Sequence, residues 1–262
     1  MTTQCGKSLL KYPDRIMQEC PVCGRVNPIY VQGLVRNPEN FKMAMPVLDR
    51  GYSFCNCSNI FYTDWVNIDQ RIYDENYQKH YQQEVITEAI RRYSRYFPML
   101  KEFNSNIKVF GEIGSINQVL LDEAKKEGWG TIGIDINPNV KSEQHSIINW
   151  NVEEAIHLRG YDVIWASHIF EHFKDPLTVA SNLYNSLNEK GLLFVAMPDP
   201  WFINWEHPHQ WQHWVLREHH ILWDMDSFIE KLENLGFKKV YHKRNIDPDF
   251  VCTGDYHLIF QK

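Results

Sequence analysis

The chain from residue 107 onward predicts an α/β fold: a Rossmann-like, mostly parallel sheet covered by helices, with its last strand antiparallel. Three observations carry this. Beyond residue 106, apolar β-type runs alternate with helical patterns. A turn containing Gly114 follows the first run, and Asp135 closes the second, 21 residues on. The last two runs, 239–244 and 256–261, are joined by too few residues for a crossover helix, so they pair as antiparallel neighbours.

The 262 residues suffice for one to two domains and a sizeable core, so bulk stability needs neither disulfides nor a metal. Thirty-three acidic against 27 basic residues leave a formal charge of −6, and no basic stripe occurs. Nucleic-acid affinity comes largely from clustered Lys and Arg, so this balance disfavours a nucleic-acid partner and points to a small-molecule substrate. The longest apolar run, 192–197, is far below the ~20 residues that span a bilayer, and the first residues carry no apolar signal core. The expectation is a cytoplasmic protein that does not engage a membrane.

Residues 1–70 are expected to form a small zinc-ribbon-like domain. Four of the six cysteines make two close pairs, C-P-V-C-G at Cys20 and Cys23 and F-C-N-C-S at Cys55 and Cys57. Between them lie Pro- and Gly-punctuated short β-like runs. Two such knuckles gather four thiolates into the tetrahedral site that Zn2+ favours, and a closed four-thiolate site is structural. C-x-x-C-G is the usual knuckle; C-x-C is tighter, which leaves Cys5 or a nearby histidine as alternative fourth ligand. The metal-free alternative is four thiols in a reducing compartment. The ribbon would hold a lid or a protein partner's surface.

Residues 71–106 form a helical connector or cap. Tyr77, Tyr81, Val85, Ala89, Tyr93 and Phe97 recur at helical spacing, widened by Ile86, Ile90 and Leu100, which predicts a helix over 74–103. Pro98 ends or kinks it. In 107–262 the pattern gives a strand at 107–110, a helix at 119–127 and strands at 131–136 and 161–166. A helix at 176–187 and a strand at 192–197 follow. Ser227 and Glu230 read as a capping box opening a helix over 228–235, closed by Gly236.

Gly114 lets the backbone approach a ligand closely, and the helix behind it favours an anionic group. A carboxylate at the spacing of Asp135 accepts hydrogen bonds from both hydroxyls of a ribose. A dinucleotide would need the full G-x-G-x-x-G run, which Ile116 obstructs, so a phosphate-free adenosine cofactor suits this turn better than NAD.

The stretch E-I-G-S-I-N-Q-V-L-L, residues 112–121, resembles the first motif of class I S-adenosylmethionine-dependent methyltransferases. It is nearest the E-I-G-S-N-D-G-x-L-L form of sugar C-methyltransferases. A-S-H-I-F-E-H-F-K-D-P, residues 166–176, resembles the motif after the fourth strand of the same superfamily. With the cysteine ribbon and the I-Y-D-E-N-Y junction, the chain is similar to zinc-ribbon methyltransferases of sugar and glycan biosynthesis. The resemblance implies a seven-stranded sheet, S-adenosyl-L-methionine as cofactor, and methyl transfer to a sugar, nucleotide sugar or glycan precursor. It implies that Glu112 and Gly114 contact the methionine end, Asp135 the ribose and Val152 or a neighbour the adenine, with Ser115, Asn117 and Ile136 completing the set. Ser167 and His168 would lie beside the sulfonium, and Glu171 and His172 would begin the helix facing the methyl group.

Two departures matter. Gln118 stands where glycine closes the family's turn; at positive φ it costs roughly 1–2 kcal/mol and its side chain intrudes on the cofactor. The further C-terminal domain of the sugar C-methyltransferases is missing, so C-methylation is not implied. The alternative reading is a methyltransferase-like protein that has lost the reaction and acts as a binding or scaffold module.

Residues 197–223 hold five histidines and five tryptophans. As a substrate loop, Trp201 and Trp205 would stack on a sugar ring, His209 would contact it, and Arg217 would clamp an anion. His213 and His172 are then the preferred general bases, with Glu171 beside them. As a metal site, His207, His209 and His213 would supply imidazoles. As a structural loop, the same residues would pack and satisfy buried backbone groups.

Overall fold

The computed structural model describes residues 19–26, 30–36, 44–63, 83–154, 159–202, 211, 213–214, 218–244 and 254–262. Two sheets form among them. The larger contains β4 (Val109–Ile113), β5 (Gly130–Asp135), β6 (Ser146–Asn149), β7 (Tyr161–Ser167), β8 (Leu187–Pro198), β10 (Lys238–Arg244) and β11 (Asp255–Gln261). Their order is β10-β11-β8-β7-β4-β5-β6, and β11 runs antiparallel to both neighbours while the other pairs are parallel. The predicted sheet with its reversed last strand is therefore present, extended by the short edge strand β6, whose half-exposed residues gave no apolar run.

Period-two alternation explains how the central strands serve two cores. Val163 and Trp165 of β7 and Leu192, Phe194 and Ala196 of β8 enter one buried cluster; Ile164, Ala166, Leu193, Val195 and Met197 enter the other. Trp165 stacks on Phe194 with ring centroids 3.5 Å apart, both fully buried. The first cluster is closed by α1 (Glu84–Arg92), a 3-10 turn (Tyr93–Tyr96), α2 (Phe97–Phe103) and α3 (Val119–Lys126). The predicted helix over 74–103 is thus broken where it is described. Pro98 sits in the first turn of α2, where its missing N–H is not needed, so it starts a helix and does not end one.

The second cluster is covered by α4 (Pro176–Ser186) and α5 (Met225–Asn234). The capping box proposed for α5 is corrected: Asp224 is the N-cap, its carboxylate accepting the Ser227 N–H at 3.1 Å. The helix begins at Met225, so Ser227 is the capped residue. The same cluster takes in Cys55, Ile60 and Tyr62 from the smaller sheet and Cys20 from the turn that precedes it. That sheet joins β1 (Tyr30–Arg36), β2 (Ala44–Cys55), β3 (Ile60–Tyr62) and β9 (Ile221–Trp223) in this order, all antiparallel. Its last strand comes from the His/Trp segment, which ties the N-terminal region to the main sheet. Among the described residues no helix is long and apolar enough to cross a membrane.

Candidate active site

The C-terminal ends of β4, β5, β7 and β8 lie along one edge of the sheet, the edge at which open α/β sheets bind ligands in a crevice. Gly114, just after β4, has φ +76° and donates its N–H to the Ile134 carbonyl at 2.8 Å. A Cβ there would stand 2.4 Å from Cδ1 of Ile169. Glycine is thus required by a left-handed backbone and by a side chain of the chain itself.

Gln118 occupies the expected positive-φ position, at φ 60°, as N-cap of α3. Its side-chain amide donates to the Lys141 carbonyl at 2.9 Å, a use other than the intrusion expected of it. Asn117 is committed too, its amide donating to Thr87 Oγ1 at 3.0 Å and its oxygen accepting from the Val119 N–H. Ser115 is fully buried, its Oγ against the Cα of Gly133.

Two acids line this end of the sheet. Glu112 is buried, and among the described residues its Oε2 has no hydrogen-bond partner. Burial, then the nearby Asp135 and Asp122, push its carboxyl up to about 8. Asp135 closes β5, one oxygen accepting the Asn137 N–H at 2.9 Å, and burial raises it to about 6. Beside it, Ile136 and Trp150 are exposed apolar side chains, and the Trp150 N–H donates to the Asp135 carbonyl. Val152 is buried nearby in sequence. Trp150 had no signal of its own, because its role follows from the pairing of β5 with β6.

These shifts fix a pH dependence. A folded-state pKa above the unfolded one means the folded chain holds a proton that the unfolded chain has released. Stability of the ligand-free protein should therefore fall as pH rises from about 4.5 through about 8, the window set by Glu112. The Glu112→Gln variant should flatten that slope in thermal melts between pH 5 and 8.5; an unchanged slope would contradict the assignment.

The second half of the site follows β7. His168 has φ 53°, a strained value for a non-glycine residue, and donates its backbone N–H to Ala196 at 2.8 Å. Its Nε2 lies 3.1 Å from Oδ2 of Asp255, and its Nδ1 lies 3.4 Å from Oε1 of Glu171. Asp255 begins β11 opposite Pro198, which is why residues 87 apart in sequence meet.

Glu171 and His172 do not begin a helix, as the resemblance implied. They lie in a single 3-10 turn (Phe170–His172), because Phe173 is extended and α4 starts only after its N-cap Asp175. His172 Nδ1 bonds the Glu218 carbonyl at 2.7 Å, and His219 Nδ1 bonds the His213 carbonyl at 2.8 Å. The His213 ring stacks over that of His219 at 5.7 Å and faces that of His168 at 6.4 Å. The backbone N–H of His220 reaches the Glu171 carbonyl at 2.7 Å, and its side chain is pushed down to about 4 by burial, then by His172 and Lys174. It is neutral at physiological pH.

Trp201 is exposed on a 3-10 turn (Pro200–Phe202), its ring edge-on to Phe54 and Phe61 of the smaller sheet. Trp205, His207, His209 and Arg217 lie outside the described residues. Sequence reasoning missed Asp255 and His219. It also missed Arg244, which donates to Asp199 and, at 3.2 Å, to Asp224.

The four cysteines of the two pairs converge. The Cys20–Cys23 turn is closed by the Gly24 N–H on the Cys20 carbonyl, with Gly24 at φ +70°, and Cys55 ends β2. Sulfurs of Cys20 and Cys57, and of Cys23 and Cys55, are 3.6 Å apart, and all four lie within 4.8 Å of one another. A tetrahedron of ~2.3 Å zinc–sulfur bonds needs about 3.8 Å between sulfurs, so the quartet has the right size for one ion.

Comparison with known proteins agrees with this geometry. A family model described as a methyltransferase domain matches residues 77–242, well over half of the chain. A SAM-dependent methyltransferase from Archaeoglobus fulgidus has a similar structure, with a TM-score of 0.58 at 17% identity, over 72% of this chain and 100% of that one. The plantazolicin methyltransferase BpumL, solved with a desmethyl plantazolicin analogue and SAH, gives a TM-score of 0.58 at 12% identity, covering 76% of this chain and 94% of its own. No curated protein matches the sequence. The chain belongs to the methyltransferase-domain family and carries the fold of S-adenosylmethionine-dependent methyltransferases.

Proposed function

We propose that the protein methylates a hydroxyl of a small sugar or glycan precursor, with S-adenosylmethionine bound by the crevice and a histidine as general base. The observation that carries this reading is the pair of buried acids, Glu112 and Asp135, at the ends of adjacent strands. They suit a cofactor with a cationic amino-acid end and a ribose diol. The unpartnered oxygen of Glu112 fits the ammonium, Asp135 the ribose hydroxyls, and the exposed faces of Ile136 and Trp150 the adenine. Gly114, Ser115, Asn117 and Val152 shape the turn and floor around them. When bound, the cofactor supplies an electrophilic methyl group on an already activated leaving group, so the protein has mainly to align the acceptor and take its proton.

His168 is the histidine best placed for that proton. Asp255 fixes Nε2 as the donor nitrogen, and a proton gained at Nδ1 faces the Glu171 carboxylate. His172 and His213 stand in the same cluster, and Ser167 precedes His168. Exposed Trp201 offers a flat face for a sugar ring, and Trp205, His209 and Arg217 would extend the same acceptor surface. The Cys20, Cys23, Cys55 and Cys57 quartet would hold a structural Zn2+ in a ribbon-like module within 1–70, joined through the connector 71–106 to the catalytic domain 107–262.

The test is methyl transfer from labelled S-adenosylmethionine to a panel of nucleotide sugars, alongside metal analysis. Labelled product and about one equivalent of zinc are expected. No product from any sugar acceptor would contradict the substrate class, and fewer than about 0.2 equivalents of metal after gentle purification would contradict the ribbon.

A further inference from the structure

A second cluster of ligand atoms lies apart from the cysteines, where β7 ends. One ligand atom each of Glu171, His172 and His219 falls within 4.8 Å of the other two. Three features single this cluster out from an ordinary buried polar group.

The Glu171 side chain is fully buried, and among the described residues neither carboxylate oxygen has a hydrogen-bond partner. A buried carboxylate normally collects backbone or hydroxyl donors, because leaving it without them costs several kcal/mol. The ring of His168 lies 3.4 Å from it, and that ring is shared with Asp255.

Both histidines are held by their Nδ1 atoms. His172 and His219 each donate Nδ1–H to a backbone carbonyl, of Glu218 and His213 respectively. Such a bond fixes the neutral tautomer with its lone pair on Nε2 and sets the ring's direction, as the outer hydrogen bonds of metal-binding imidazoles do.

Carboxyl groups gather here. Glu171 and Asp255, both buried, share one imidazole, that of His168, while Arg244 pairs with Asp199 and Asp224.

We propose that Glu171, His172 and His219 form a binding site for one divalent first-row transition-metal ion, ligated by a carboxylate oxygen and two Nε2 atoms. Two imidazoles and one carboxylate suit Mn2+, Fe2+ or Zn2+ and leave coordination positions open. An acceptor hydroxyl can take one of them, which would lower its pKa beside His168. That role, unlike the site itself, rests on the methyltransferase reading above.

The backbone around the cluster is fixed from outside it. The His220 N–H bonds Glu171, the Thr63 N–H bonds the His220 carbonyl at 3.0 Å, and the Tyr52 hydroxyl donates to the His219 carbonyl at 2.7 Å. The smaller sheet thereby holds His219 in place.

The experiment is titration of the full-length protein carrying one equivalent of zinc with Mn2+, followed by electron paramagnetic resonance, with S-adenosylhomocysteine titrated into the same sample. Mn2+ competes poorly for thiolates, so the cysteine quartet does not interfere. One bound Mn2+ with nitrogen couplings from two histidines is expected. Glu171→Gln and His219→Gln should each weaken binding by about a hundredfold or more, while Cys57→Ser should still bind. Absence of Mn2+ binding below about 1 mM, lack of nitrogen coupling in the wild-type spectrum, or equal affinity in folded variants would overturn the site. The wild-type spectrum decides the matter even if a variant fails to fold. S-adenosylhomocysteine binding without Mn2+ would remove the metal site alone; Mn2+ binding without S-adenosylhomocysteine would keep it and remove the proposed function.

Discussion

A His168→Asn variant should lose about 10²- to 10⁴-fold in turnover, the range a positioned general base supplies, while its affinity for S-adenosylhomocysteine stays within a few-fold. Asparagine is the informative replacement because it tolerates the left-handed backbone that His168 adopts at φ 53°. A change that also strained the chain would confound the result. Asp255→Asn should reproduce much of the loss, because the neutral amide no longer stabilises the protonated ring. The readout that separates a base from a merely structural histidine is the pH profile. Wild-type turnover should rise with pH on its acid limb as the imidazole loses its proton, and that limb should vanish in His168→Asn. Turnover within about threefold of wild type in the asparagine variant would rule His168 out as the base.

The second large effect concerns Asp135. Its carboxylate would accept two hydrogen bonds from a ribose, and bonds to a charged group contribute roughly 1.5–3 kcal/mol each. At 1.4 kcal/mol per factor of ten, Asp135→Ala should raise the dissociation constant for S-adenosylhomocysteine by about 100-fold or more. Asp135 also accepts the Asn137 N–H, so the variant's fold should be checked by circular dichroism. Because burial raises this carboxyl to about 6, its charge costs the ligand-free protein stability above that pH. The alanine variant should therefore melt no lower than wild type at pH 8, even though it no longer binds. A variant that binds as wild type does would remove the ribose assignment.

Legibility in the sequence followed the range over which each feature is encoded. The central strands were legible because β7 and β8 are buried on both faces and read as apolar runs. Gln118 was legible as a positive-φ residue because one glycine-requiring turn predicts its own backbone. The cysteine pairs announced their meeting through local knuckle spacing, although β1 and β2 separate them.

What failed was long-range or depended on where an element begins. Asp224 caps α5 because the helix starts at Met225, and Ser227 looked like a cap only on a later start. Pro98 was read as ending or kinking a helix, whereas it opens one, and only tertiary packing of Phe97 and Leu100 decides that. The partnership of His168 with Asp255 depends on β11 folding back beside β8, and no local pattern encodes that register. For the same reason β9 was read as loop: its three residues become a strand only because β3 is there to pair with them.

This pairing also gives the N-terminal region a mechanical part in the site. Tyr52 packs on Trp214 with ring centroids 5.1 Å apart, and its hydroxyl holds the His219 carbonyl. Loss of the ion proposed for the cysteines should thus be felt at His219 as well as in stability.

The measurement that bears most directly on the central claim is calorimetric titration of the purified full-length protein with S-adenosylhomocysteine at pH 7.5. Micromolar binding at about one site per chain, with a matching rise in melting temperature, is the result predicted here. Absence of both heat and thermal shift at about 1 mM ligand would mean that the turn bearing Ile116 and Gln118 no longer admits the cofactor. The family fold would then serve something other than methyl transfer.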